Sequence, residues 1–140
     1  MTNFLEAVLG KNIVGITLFP FGIYLKLSYL TRQKTINHES IHWQQQLEMV
    51  AAGLILSLLS AIMFVWVTPH WWILTLMLVF PLLFFYLWYV IEWFFRIFIN
   101  GNKAYVSLSF EREAYGNAGN MDYLKTRKRF AWLKYMRKKE

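Results

Sequence analysis

Two histidines four residues apart bracket a glutamate in "TINHESIHWQQQLEM", residues 35–49. On a helix, positions i and i+4 share a face, so His38 and His42 can grip one ion while Glu39 stands beside the open coordination position. Imidazole nitrogens suit zinc, and a catalytic zinc keeps three protein ligands plus a water. The ion lowers the pKa of that water toward about 7, which casts Glu39 as the general base of a hydrolase. Thr35 or Asn37 is placed to cap the start of such a helix. The chain has no cysteine, so a metal site must be built from imidazole and carboxylate, and disulfides are excluded.

A third ligand is needed. His70 lies in a turn at the far end of an apolar run and is expected on the opposite side of a bilayer. The candidates are therefore Glu92, Glu111 and Glu113. In "SFEREAYGNA", residues 109–118, Glu111 shares a helical stripe with Ala114, Tyr115 and Ala118, whose small members permit close packing. Glu113 faces elsewhere, because residues two apart do not share a helix face. Glu111 is favoured and Glu113 is the alternative. Glu92 precedes Arg96 by one turn and reads first as half of an ion pair, with a role orienting an imidazole as its other reading. Tyr115, Tyr105 or Arg112 is available to stabilise an oxyanion.

The elements that must position these residues are apolar to an unusual degree. The 140-residue chain is 57% hydrophobic and 19% aromatic, enough for one domain over residues 1–140. Between residues 49 and 95 there is no Lys or Arg, and Glu92 is the only acid. A bilayer core of roughly 30 Å needs about 20 apolar residues of helix. "MVAAGLILSLLSAIMFVWV" (49–67) and "WWILTLMLVFPLLFFYLWYVIEWFF" (71–95) both meet that requirement. Thr68-Pro69-His70 breaks them into an antiparallel hairpin, with Trp66, Trp71 and Trp72 at its interface and Pro81 as a kink. The expected elements are a β-hairpin over 12–31, a metal-site helix continuing into the first span over 35–67, a second span over 71–99, a third-ligand helix over 104–118 and a basic amphipathic tail over 121–140. Pro20, Gly22 and Lys26 argue against a third span in the first of these.

All fifteen basic residues flank the apolar window, and the loop at 68–70 has none. By the positive-inside rule both termini, and the metal site with them, face the cytoplasm. The N-terminus lacks a basic region and a small-residue cleavage site, so no signal peptide is expected. The tail "YLKTRKRFAWLKYMRKK" (123–139) carries eight basic residues with apolar residues at helical spacing. It fits anionic lipid headgroups, at about 1 kcal/mol per basic residue near the surface, better than nucleic acid.

His38-Glu39-x-x-His42 followed by Glu111-Arg112-Glu113-Ala114 resembles the gluzincin class of zinc metallopeptidases. In that class a glutamate from a later helix, commonly in an E-x-x-A-D setting, completes the site. Glu111 matches that ligand and Ala114 the small residue, whereas Tyr115 stands where Asp is usual and Gln44 where an apolar residue is usual. Together with "LWYVIEWFFR" and "YLKTRKRFAWLKY", these motifs are similar to a group of small bacterial membrane proteins regarded as metallopeptidases. The resemblance implies a bacterial inner-membrane zinc metallopeptidase of mainly α architecture. Its two-span transmembrane helical hairpin, short N-terminal β-hairpin and C-terminal helical region would form a minimal zincin-like site at the membrane face. It also implies a peptide or protein substrate extended along a strand edge, which the N-terminal hairpin would supply. The alternative is a non-catalytic small subunit of a membrane complex with a structural zinc.

Overall fold

Short runs of β-branched and aromatic residues on either side of Pro20–Gly22 favour paired strands. In the computed structural model, which describes residues 14–29, 31–64 and 71–137, they form an antiparallel hairpin of β1 (Gly15–Leu18) and β2 (Gly22–Leu25). The register pairs Gly15 with Leu25 and Leu18 with Gly22. Gly22 closes the turn at φ 121°, a conformation that costs a side-chain-bearing residue far more than glycine. The expected breadth of 12–31 thus contracts to two four-residue strands and a 3-10 turn at Leu27–Tyr29.

The rest is mainly helical. Helix α1 (Gln33–Phe64) runs unbroken from the polar metal-motif segment into the apolar one, starting two residues earlier than the sequence suggests. Helix α2 (Trp71–Asn100) follows, then α3 (Ser109–Asn117), α4 (Tyr123–Thr126) and α5 (Leu133–Arg137). The expected third-ligand helix over 104–118 shrinks to α3. Residues 104–107 are turns, with Ser107 Oγ donating to the Ala104 carbonyl at 2.8 Å, a local side-chain bond that competes with helical hydrogen bonding. The turn at 68–70 with His70, Trp66 and the first thirteen residues lie outside the described residues.

The chain divides into two compact units, one of residues 1–44 with 109–140 and one of residues 45–108. The second unit holds the apolar portion of α1 and all of α2. Both helices are long and apolar enough to cross a membrane. They approach each other closely where α1 offers Gly53, since a Cβ there would lie 2.8 Å from Cα of the buried Pro81. Their other faces leave large apolar side chains open, among them Leu58, Ile62, Leu78 and Phe98. A helix of a soluble domain normally hides such a stripe.

The first unit is built around Ile41, Phe110, Ala114, Ala118 and Trp132, all buried. The Phe110 and Trp132 rings meet at 4.6 Å, and α3 packs against α5. The expected amphipathic tail is accordingly not one helix. Arg127 is extended and Phe130 sits at φ 54°, separating α4 from α5, because the chain bends to bring Arg127 and Trp132 onto α3.

Candidate metal centre

The early start of α1 places Thr35 and Asn37 inside the helix rather than at its cap. Asn37, 5% exposed, has a different task. Its side-chain Nδ2 lies 3.3, 3.0 and 2.9 Å from the carbonyl oxygens of Asn117, Ala118 and Asn120. These carbonyls lie at the end of α3 and in the turn after it, where those of Asn117 and Asn120 also accept from the backbone N–H groups of Asn120 and Tyr123. One amide therefore closes α3 and ties it to α1 a single residue before His38. Replacing Asn37 by Ala should lower stability by about 1–3 kcal/mol, from the loss of buried hydrogen bonds. A shifted thermal unfolding transition together with zinc affinity weakened by about tenfold would register it.

With α3 tied down, Glu111 meets the two imidazoles. His38 Nε2 and His42 Nε2 are 3.1 Å apart. Glu111 Oε2 lies 3.6 Å from His38 Nε2, and its Oε1 lies 3.5 Å from His42 Nε2. Glu111 is 2% exposed and His42 7%. Ligands at 2.0–2.1 Å from a tetrahedral zinc are separated by about 3.4 Å. Each imidazole faces a different oxygen of the Glu111 carboxylate at close to that separation, and the donor set of two imidazoles and a carboxylate is one that zinc accepts. His38, His42 and Glu111 thus form a group that could hold a metal ion, with all three ligand atoms within 4.8 Å of one another.

The polar segment of α1 carrying the motif precedes the apolar one, which begins at Met49. In that polar segment, burial pushes the His38 imidazole down to about 4, helped by His42 and Lys34 and opposed by Glu111. The ring is therefore neutral at physiological pH, the form that binds metal. Glu39, 6% exposed, is moved the other way. Burial raises its carboxyl above the ordinary value and Glu111 adds to that, while a Thr17 hydrogen bond and His42 pull it back. A more basic carboxylate results. Tyr115 is 54% exposed, and the burial of its remainder raises the hydroxyl above its ordinary value, with Glu111 and Glu39 adding to that; its ring lies against His38 at 4.6 Å between centroids.

The remaining candidates separate cleanly. Glu113, fully buried, turns away from the histidines and pairs with Arg127 at 2.6 Å. Arg112 donates to the Tyr135 carbonyl at 3.3 Å. Glu92 pairs with Arg96 at 3.1 Å within the second unit, where the Tyr105 ring lies tilted 6.5 Å from that of Tyr89. Gln44 is exposed. Two contributors escaped the sequence reading, Asn37 as a clamp and Thr17 on β1, whose hydroxyl donates to Glu39. The available signal was a polar residue inside an apolar strand, at the position that alternation sends inward.

Comparison with family models, with curated proteins and with solved structures finds no match for this chain, so the reading of the site rests on its own chemistry.

Proposed function

We propose that this chain is a membrane-embedded zinc hydrolase, a metallopeptidase of gluzincin type, with His38, His42 and Glu111 as ligands and Glu39 as general base. The observation that carries the proposal is the meeting of Glu111 with two imidazoles some seventy positions earlier, at spacings that suit a tetrahedral ion. A bound zinc would supply Lewis-acid activation of a water and of a carbonyl. Glu39, buried and made more basic, accepts the proton released by the attacking water. Tyr115, a protonated donor against His38, is suited to stabilise charge developing on the carbonyl oxygen.

Zinc is proposed because two histidines four apart with a glutamate after the first is the spacing of zinc hydrolases, and two imidazoles with a carboxylate form a zinc donor set. Membrane insertion is supported by the open apolar faces of α1 and α2. His42 precedes Met49 by less than two helical turns, about 10 Å of rise, which favours cleavage at the membrane surface. By the positive-inside rule the basic flanks support a site and termini on the cytoplasmic side of a bacterial inner membrane, with anionic headgroups meeting the basic tail. Peptide or protein is the substrate class, laid along the strand edge of the hairpin.

A second reading keeps the ion but not the chemistry. Asn37 already fastens α1 to α3, so a metal between the same two helices would extend that clamp in a non-catalytic subunit of a membrane complex.

Metal analysis of the detergent-purified chain tests what both readings share. About one equivalent of zinc is expected, with affinity weakened by at least about a hundredfold in His38→Ala, since even a residue that merely orients a ligand is worth roughly 10–100-fold. Wild-type protein without zinc, or zinc uptake unchanged by His38→Ala, discards the site.

A further inference from the structure

Strand β1 turns two positions toward the carboxylate of Glu39. Gly15 and Thr17 are two apart in a strand and so share a face. Thr17, 6% exposed, places its hydroxyl 2.7 Å from Glu39 Oε2 and 3.1 Å from the Glu39 backbone carbonyl. One hydroxyl proton cannot serve two acceptors fully, and the shorter distance, in the range of a charge-assisted bond, assigns it to the carboxylate. The other oxygen lies over Gly15. A Cβ built there would stand 3.1 Å from Glu39 Oε1 and 3.3 Å from its carboxyl carbon, closer than ordinary packing. It would also meet Leu25 Cδ2, the far end of a flexible side chain that can move aside.

We propose that β1 forms a cradle for Glu39, in which the Thr17 hydroxyl holds one carboxylate oxygen and the bare backbone of Gly15 makes room for the other. Thr17 is a positioning residue that acts through Glu39. The hairpin then has a role separate from presenting an edge to substrate. The inference deepens the proposed hydrolase and rests on that reading, because a positioned base matters only beside an ion.

Three features make the cradle specific. Threonine is β-branched and stiff at χ1, so its hydroxyl is aimed by the backbone. The strand itself is fixed by four cross-strand partners, from Gly15–Leu25 to Leu18–Gly22. Glu39 emerges from the middle of a helical turn between His38 and Ser40, where its own backbone cannot shift without moving a ligand. The free variable is the Glu39 side-chain rotamer, and Thr17 with Gly15 removes it.

Acetohydroxamate is a probe that needs no knowledge of the substrate. It chelates an active-site ion and shares a proton with a carboxylate beside it, so its affinity reads the placement of Glu39. Full-length protein in detergent is loaded with Co2+, and acetohydroxamate binding is followed through the visible absorption of the cobalt. Thr17→Val keeps the shape and removes the hydroxyl. It should bind cobalt like wild type and bind acetohydroxamate about tenfold more weakly, the worth of one hydrogen bond to a charged group. Gly15→Ala should act in the same direction, and Thr17→Ser should recover most of the loss.

Unchanged acetohydroxamate affinity in both Thr17→Val and Gly15→Ala, with cobalt bound normally, overturns the cradle and leaves the metal site standing. Cobalt binding lost in Thr17→Val and restored in Thr17→Ser would make the contact structural and overturn the positioning role. Wild-type protein that takes up no cobalt overturns the metal reading and this inference with it.

Discussion

Glu39→Gln is expected to keep its zinc and to lose hydrolysis by about two to four orders of magnitude, the usual contribution of a positioned general base. Glutamine has the same shape and retains an oxygen that can accept from the Thr17 hydroxyl, now 2.7 Å from the carboxylate. The substitution therefore leaves the cradle filled and removes only proton affinity. Burial strengthens that affinity in the native residue, with the charge of Glu111 acting in the same direction. A carboxyl raised in this way is better matched to neutral pH than a solvated one. Cleavage of a quenched-fluorescent peptide pool, read beside zinc content, supplies the measurement. If both proteins hold zinc and cleave alike, or neither cleaves, the site is a clamp between α1 and α3 and the subunit reading takes over.

That His38 and His42 would face one another was legible in the sequence because their geometry is local. Spacing of four on a helix is enough to put two imidazoles together, and no distant packing is required. Glu111 was legible for a different reason. Candidate carboxylates were few, and residues two apart on a helix cannot both face the same partner, so helical geometry separated Glu111 from Glu113. The apolar lengths of α1 and α2 followed from composition alone.

Long-range polar contacts were not legible. Asn37 looks like a helix cap because asparagine often is one, and only the position of the end of α3 reveals that its amide closes a different helix. Thr17 looks like an ordinary strand residue until β1 is laid against α1. The breaks within the tail were hidden for a related reason. Apolar residues at helical spacing suggest a continuous helix, but Arg127 and Trp132 are claimed by α3, and the gain from those contacts exceeds the small preference of a short isolated helix.

Arg127 carries the largest stability effect expected in the first unit. Its Nε donates to Glu113 Oε1 at 2.6 Å and its terminal nitrogen to Oε2 at 3.2 Å, a two-point fork on a carboxylate that is fully buried. The Tyr123 hydroxyl donates to the same Oε1 at 2.8 Å, and burial together with Glu113 pushes its own ionisation well upward, so it stays a donor. Arg127→Met would take the fork from a buried carboxylate, and breaking a buried ion pair from one side typically costs 3–5 kcal/mol, or roughly 10²–10⁴ in the folding equilibrium. Urea unfolding of the detergent-solubilised protein should show that loss, and adding Glu113→Leu should return most of it, because the pair removed together strands no charge. Arg127→Lys should fall between, keeping charge without the fork. The consequence reaches the metal. Glu113 and Glu111 are two residues apart, so the fork that holds Glu113 on one side of α3 also fixes the rotation that points Glu111 at His38 and His42. Arg127→Met should therefore weaken zinc binding without touching a ligand, whereas the double variant, with α3 packed on apolar contacts instead, should bind zinc between wild type and Arg127→Met. Stability and affinity that fail to move together across this series would separate the fork from the site.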